Sequence, residues 1–389
     1  MKTKNNLKNE YFVQNITSIK SINQSCWDLC AGETNPFVSY DFLQSLEESG
    51  CVSNETGWMP FHLIVNDSNK NLVACAPLYF KNHSQGEYIF DHSWANALEG
   101  AGGNYYPKLI IAIPFSPVSG PRLLIKDKNS EEKLKKIMLD RLIEIAKKNN
   151  LSSIHINFTG SKDNNFFYKT SFLERIGIQF HWKNNLYENF DQFLTSLSSR
   201  KRKSILKERK NSLKKDINIF TFTGQEINEE HIKAFYNFYI DTTSKKWGIP
   251  YLNYEFFSLL YEKKIREKMV LIMAKRNSDW VAGAINFRGK TCLYGRYWGS
   301  LENHKFLHFE ICYYQAIDFA IKNKIEYVQA GAQGPHKLSR GYLPNKTYSW
   351  HWINNEVFRK AIEDYLTEEK QSVERNIEYF MNQSPYKKN

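Results

Sequence analysis

The chain has 389 residues, with 53 Lys and Arg against 41 Asp and Glu, a formal net charge of +12. At roughly 150 residues per domain, that length predicts two domains, or at most three, each able to bury its own core. Hydrophobic residues at 42% and charged residues at 24% exclude wholesale disorder and a coiled coil. The 26 Phe, 23 Tyr and 9 Trp are a surplus of rings that belong mostly to the core, with the polar-edged ones suited to a groove for flat ligands. The basic balance favours partners carrying phosphate or carboxylate.

The first 25 residues contain no apolar run, so no signal peptide is predicted. The longest apolar stretches, 72–80 and 109–115, fall far short of the ~20 residues that span a bilayer. These features predict a soluble, cytoplasmic protein. Cys26, Cys30, Cys51, Cys75, Cys292 and Cys312 show neither CxxC pairing nor zinc-like spacing and are expected as reduced, mostly buried thiols.

In chain order, a helix pattern runs over 41–49 and stops at Gly50. Strands at 61–65 and 72–80 flank the turn Asn66-Asp-Ser-Asn-Lys, a hairpin signature. Strands follow at 108–113 and 122–125. Ser130-Glu131-Glu132 opens a helix that ends near Asn149-Asn150, with acids at its start as the helix dipole favours. Then come a strand at 153–158, a helix at 166–176 stopped by Gly177, and a strand at 178–182. The second half repeats this grammar. A strand at 217–222 precedes a helix beginning at 232–239. A three-stranded meander follows at 271–274, 281–287 and 291–298, with Asn277-Ser-Asp and Arg288-Gly-Lys as turns. Leu307, Ile311, Tyr314, Ile317 and Ile321 advance by 4, 3, 3 and 4, the stripe of a buried helix face. A strand at 327–330 ends at Gly331, and from about Asn355 the residues Ile362, Leu366, Val373 and Ile377 predict a C-terminal helical hairpin. The expected organisation is an N-terminal domain over 1–190, a basic connector helix over 191–216, a C-terminal domain over 217–354 and helices over 355–389.

Three segments carry candidate chemistry. Arg200, Lys201, Arg202, Lys203, Lys207, Arg209, Lys210, Lys214 and Lys215 place nine bases in sixteen positions against the single acid Glu208. On a helix Arg200, Lys203, Lys207, Lys210 and Lys214 share one face, which suits a polyphosphate or nucleic-acid backbone and equally a solvated connector. Tyr294-Gly-Arg-Tyr-Trp-Gly299 is a strand with two glycines around a base and aromatics, the mark of a bulge, a close ligand approach or a twisted edge. Ala330-Gly-Ala-Gln-Gly-Pro-His-Lys-Leu-Ser-Arg-Gly341 is a glycine-rich turn whose backbone N–H groups and cations suit phosphate or an oxyanion, although it has neither P-loop nor dinucleotide spacing. His304 and His308 stand four apart without an HExxH context, so no metal site is expected. In the first half, the polar and aromatic residues between His83 and Trp94 and at Tyr105-Tyr-Pro-Lys108 fall outside any periodic stripe, as a substrate-facing surface does. Neither GxSxG nor a Cys/His signature points to covalent hydrolysis.

At these segments the chain resembles a bacterial family of N-acyltransferases labelled peptidoglycan biosynthesis or recognition proteins. The matching stretches are Asn35-Pro-Phe-Val-Ser-Tyr-Asp-Phe-Leu, Ala76-Pro-Leu-Tyr-Phe-Lys-Asn-His-Ser-Gln-Gly-Glu-Tyr, Tyr105-Tyr-Pro-Lys-Leu, Ser198-Ser-Arg-Lys-Arg-Lys, Leu293-Tyr-Gly-Arg-Tyr-Trp-Gly and Gly331-Ala-Gln-Gly-Pro-His-Lys-Leu, spread over residues 35–353. The family is similar to the GNAT superfamily and to the Fem-type transferases. The resemblance implies an α+β fold of tandem GNAT-like domains, each a mixed sheet flanked by helices. It implies direct transfer of an acyl or aminoacyl group onto an amine of a peptide or peptidoglycan precursor, with no permanent cofactor and no metal. The donor is aminoacyl-tRNA or an acyl-CoA. Because the acetyl-CoA pyrophosphate loop has at best a replacement in Gly331-Ala-Gln-Gly334, aminoacyl-tRNA is favoured. A non-catalytic module that binds cell-wall fragments or nucleic acid is the remaining alternative. On this reading Glu310, then His336, are the candidate bases. Arg296, Tyr297, Trp298, Gly331, Gln333, Gly334, Lys337 and Arg340 face the donor, and Arg200, Lys201, Arg202, Lys203 and Lys207 hold its phosphates. His83, Glu87, Asp91, His92, Trp94, Tyr105, Tyr106 and Lys108 face the acceptor.

Overall fold

The structure, a computed structural model, describes residues 11–213, 216–246, 249–332 and 334–387, with Lys246 described by its backbone only. Lys214, Lys215 and Gln333 of the candidate segments lie outside the described residues. The chain forms two compact units, Met1–Ile176 with Thr347–Glu369, and Gly177–Lys346 with Lys370–Asn389. The boundaries therefore differ from the expected 190, 216 and 354. The basic helix is an integral part of the second unit, and residues 347–369 return to the first.

The first unit contains strands β1 (Tyr11–Ile16), β2 (Trp58–Pro60), β3 (His62–Asp67), β4 (Leu72–Ala76), β5 (Leu78–Lys81), β6 (Lys108–Ile111), β7 (Leu124–Ile125) and β8 (Ser153–Thr159), and the start of β9 (Leu173–Lys183). β3 and β4 form the expected hairpin, flanked by β1 and β7. The single run expected over 72–80 is two strands because Pro77 offers no N–H to a ladder. Helix Tyr40–Glu48 starts where Ser39 Oγ accepts from the Phe42 N–H, and helix Glu131–Lys148 has acids in its first turn and Lys147 and Lys148 in its last. That second helix buries Leu134, Met138 and Leu142 and leads from β6 to β8, which run parallel. The helix expected over 166–176 is corrected. Only Asn164–Phe167 is helical, and β9 runs unbroken through Gly177. Leu173, Ile176 and Gln179 are buried at steps of three, which mimics a helical stripe, and strand pairing overrides that local pattern.

The second unit contains β10 (Ile217–Thr223), β11 (Met269–Arg276), β12 (Asp279–Arg288), β13 (Cys292–Ser300), β14 (Tyr327–Gln329) and the start of β15 (Leu343–Ile353). β11, β12 and β13 are the expected antiparallel meander. A helical stretch then leads from β13 to the parallel β14, whose other neighbour is the antiparallel β9. The order β11-β12-β13-β14-β9 has the same pairing directions as β2-β5-β6-β8-β15 in the first unit. The coarse duplication in the sequence is thus a repeat of one sheet plan. All five residues of the Leu307–Ile321 stripe are buried. The stretch from Glu356 to Asn382 is a single 27-residue helix and not a hairpin, because no Gly or Pro interrupts it.

Candidate functional site

On β12 and β13, Phe287 pairs with Tyr294, Asn286 with Gly295 and Ile285 with Tyr297, so Arg296 is an extra residue, a β-bulge. On its other side β13 pairs with β14 only through Cys292–Tyr294. β14 ends at Gln329, and Gly331, at φ +78°, turns the chain away. The bulge therefore stands where two parallel strands part. Between them lies a cavity of about 120 Å³ lined by Asn286, Gly295–Trp298, His308, Tyr313 and Gly331. A second cavity of about 430 Å³ is lined by Thr242, Lys245, Ser300, Glu302 and His304, and shares Trp298 and His308 with the first. The His308 ring meets the Trp298 ring edge-on at 5.1 Å. Glycine at 299 lets helix Glu229–Lys246 approach, since a Cβ there would lie 2.2 Å from the Phe238 carbonyl.

The equivalent gap in the first unit is filled. Past Ile156 the segment around Gly120 runs beside β8, with the Gly120 N–H donating to Phe158 O at 3.0 Å. The Arg122 guanidinium, 1% exposed, donates from Nε to Asn157 O at 2.7 Å and from Nη2 to Val118 O.

The helix after β13 contains a π turn, Glu310–Tyr314, whose extra residue turns Cys312 and Tyr313 toward the smaller cavity. Glu310 is 0% exposed. Arg209 donates to it from Nε at 3.2 Å and from Nη2 at 2.9 Å, and Gln315 Nε2 donates at 2.8 Å. Arg209 also holds Asp318 at 2.8 Å and lies over the Phe190 ring. With its oxygens engaged and no path to solvent, Glu310 is a structural anchor for the basic helix, which corrects its expected role as the base. Glu310→Gln is accordingly expected to lower the unfolding midpoint, by about 1–3 kcal/mol of stability since Arg209 remains partly exposed, as read by thermal denaturation.

The glycine-rich turn is also internally committed. Arg340 donates to Glu208 from Nε and Nη2 at 3.1 and 3.0 Å, and lies 3.4 Å above the Phe309 ring. Lys337 is buried and donates to Gly331 O at 3.0 Å; burial lowers its pKa to about 8. Neither cation is free for a phosphate, which corrects that expectation. His336 is exposed overall and hydrogen-bonded to Tyr313 Oη at 2.9 Å, and partial desolvation of its ring together with the Arg340 charge holds it toward its neutral form. A Cβ at Gly334 would lie 2.4 Å from that ring. Of the expected donor-side residues, the smaller cavity collects Arg296, Tyr297, Trp298 and Gly331.

The expected acceptor-side residues come together, but as a buried network and not as a surface. Lys108, 0% exposed, donates to Glu87 at 3.0 Å, to Ser84 at 2.9 Å and to Asp91. The Tyr105 hydroxyl donates to Asp91 at 2.7 Å, and Tyr106 bonds Ser84 at 2.7 Å. His83 accepts from Lys81 at Nδ1 (2.7 Å) and faces Thr56 O from Nε2 (3.0 Å). Burial pushes the Glu87 carboxyl up to about 7. Burial would raise Asp91 too, but the Lys108 charge, His155 and the hydrogen bonds from Lys108 and Ser84 together outweigh it and hold Asp91 below the carboxylate range. Trp94 is buried beneath Arg175, and only His92 stands apart, exposed. Sequence reasoning missed His155 and His351, whose rings share a 2.7 Å hydrogen bond under this network, each backed by a serine two residues away. Burial holds both rings neutral. Their only sequence signal is a histidine flanked by apolar residues, Ile154 and Ile156 in one strand and Trp350 and Trp352 in the other.

Helix Ser199–Ser212 buries Ile205, and Lys201 donates to Ser339 Oγ at 3.0 Å. Arg200, Lys203, Lys207 and Lys210 are exposed on one face, and none pairs with a carboxylate of the described residues; Arg202 is half-buried. Among the described residues no group of three His, Cys, Asp or Glu could hold a metal, and His304 is instead paired with Glu302 at 2.5 Å. None of the six cysteines is disulfide-bonded, and four are buried. No helix of the described residues is long and apolar enough to cross a membrane.

The FemAB-like family, described as peptidoglycan biosynthesis/recognition, matches residues 18–388. No curated protein matches the sequence. Among solved structures, FemX is 13% identical with a TM-score of 0.54, covering 88% of this chain and 98% of its own. A conserved protein of unknown function from Bacteroides thetaiotaomicron is 11% identical with a TM-score of 0.51, covering 88% and 100%. A tandem GNAT protein from the clavulanic acid biosynthesis pathway is 8% identical with a TM-score of 0.45, covering 88% and 98%. The expected α+β fold of tandem GNAT-like units stands, shared with FemX.

Proposed function

The chain belongs to the FemAB-like family of transferases, and from that premise we propose that it joins an aminoacyl group, delivered by aminoacyl-tRNA, to an amine of a peptidoglycan precursor or peptide. The observation that supports this reading most is the bulge at Arg296 beside the parting of β13 and β14. It leaves strand backbone without a ladder partner at the wall of a cavity, where N–H groups can meet a developing oxyanion. The neutral amine attacks the ester carbonyl, the C–N bond forms, the ester C–O bond breaks, and the proton lost by nitrogen ends on the departing 3′-oxygen. Trp298 and His308 line both cavities, so carbonyl and amine held one in each would meet beside them. His308 is the group placed to take the proton, with His336 behind Tyr313. The face of Arg200, Lys203, Lys207 and Lys210 would follow the tRNA backbone. The buried residues of the first unit are structural on this account, and the reaction belongs to the cytoplasm, where charged tRNA is found.

Binding at graded salt separates this donor from a CoA ester. Each phosphate contact to a single strand adds about 0.7 to the slope of log affinity against log salt, and to a duplex about 0.9. Changing Arg200, Lys203, Lys207 and Lys210 together to Gln is expected to lower that slope for bulk aminoacylated tRNA by about 3, with unchanged melting. Tight acetyl-CoA binding beside a tRNA affinity indifferent to the four changes would return the protein to the acyl-CoA branch.

A further inference from the structure

Asn286 sits on β12 opposite Gly295, is 1% exposed and lines the smaller cavity. Its amide orientation is fixed, because Nδ2 donates to Val270 O at 3.2 Å and only the NH2 end can do so. The other end, Oδ1, is buried and has no hydrogen-bond partner among the described residues. It points at the glycine of the bulge, where a Cβ would lie 3.2 Å from it. At the end of β14 the Gln329 side-chain oxygen is likewise buried without a partner, and the Gln329 carbonyl would lie 3.4 Å from the same Cβ. The cavity holds the volume of about four waters at ~30 Å³ each, enough for a small polar group. A buried acceptor left unmet is costly, so the ligand that belongs here brings a donor.

We infer that Asn286 is a specificity-determining residue whose Oδ1 accepts an N–H from an amine-bearing substrate in the cavity at the bulge. The inference rests on the transfer reading above and deepens it. An amine N–H can come from two sources, the α-amine of an aminoacyl donor or the nucleophilic amine of the acceptor. A ligand that presents only a hydrocarbon or a carbonyl there leaves the oxygen unmet.

Two probe pairs distinguish these sources by calorimetry on the full chain. The first is 3′-alanylamido-3′-deoxyadenosine against its propionyl counterpart, which lacks only the α-amine. The second is a lysine-containing peptide against its Nε-acetyl form. One pair is expected to show at least a tenfold preference for the amine-bearing member. Asn286→Ala should abolish that preference. Equal affinity within both pairs would give the oxygen to an ordered water and overturn the inference while leaving transfer standing. A preference that survives in Asn286→Ala would also overturn it. Failure of all four probes to bind would overturn both the inference and the transfer reading.

Discussion

Lys108→Ala is expected to destabilise the first unit by about 3–5 kcal/mol, the usual effect of removing one partner from a buried ion cluster. The lysine has no exposed surface and, among the described residues, is the only lysine or arginine paired with Glu87 and Asp91, whose side chains are each 1% exposed. Without it two carboxylates remain in a low-dielectric interior beside two neutral histidines. Chemical denaturation would show the loss as an earlier transition, and a midpoint unchanged from wild type would contradict the network as a stability element. The same cluster gives a pH signature. Burial raises the Glu87 carboxyl to about 7, above the ordinary carboxylate range, with the Asp91 charge adding to the rise and Lys108 only partly opposing it. The fold therefore favours protonated Glu87, a contribution fully present below the unfolded value of about 4.3 and lost as pH rises through 7. Glu87→Gln stays neutral throughout. The difference in stability between variant and wild type should therefore move in favour of the variant by about 2–3 kcal/mol between pH 4.5 and 8. Titration of Asp91 and His155 is common to both proteins and largely cancels. A difference that stays flat, or moves the other way, would show that Glu87 is ionised throughout.

His308→Gln is the second large expectation, a fall in kcat of about 10²–10⁴ with melting unchanged. Glutamine keeps a hydrogen-bonding edge near Trp298 but cannot carry the amine proton. Raising the pH, which supplies more neutral amine, should recover part of the loss. Undiminished turnover would assign proton acceptance to His336 or to solvent. The titratable groups around His308 are Cys312, Tyr313 and His336 on one side and Lys245, Glu302 and His304 on the other.

Much of the second unit was legible because local chemistry dictated it. Asn277-Ser-Asp and Arg288-Gly-Lys close the meander, and two glycines around Arg296 announced an irregular strand that became the bulge. The cavity itself was not legible, because it depends on β14 ending at Gln329 while β13 continues, a matter of register between strands about thirty residues apart. Glu310 misled for the same reason. A glutamate near a helix start reads as a helix-dipole partner or a base, and only folding brings Arg209, 101 residues away, onto it. Lys108, Glu87 and Asp91, grouped because they break every periodic stripe, do meet in the fold. Their burial was unreadable, because charges inside a protein announce themselves only through partners supplied by the fold. The helix wrongly expected over 166–176 shows that burial at steps of three can arise on a strand.

Amide formation at the bulge cavity is open to direct test. Incubating the protein with bulk tRNA charged with isotopically labelled amino acids and a lysine-containing stem peptide, then reading the peptide by mass spectrometry, tests it for wild type and for Ala330→Leu, since Ala330 also lines the 120 Å³ cavity and a leucine there would fill it. A labelled amide is expected from the wild-type protein and at least about a hundredfold less from the filled variant at equal melting temperature. No amide from the wild type, or equal yields from the two proteins, would contradict it.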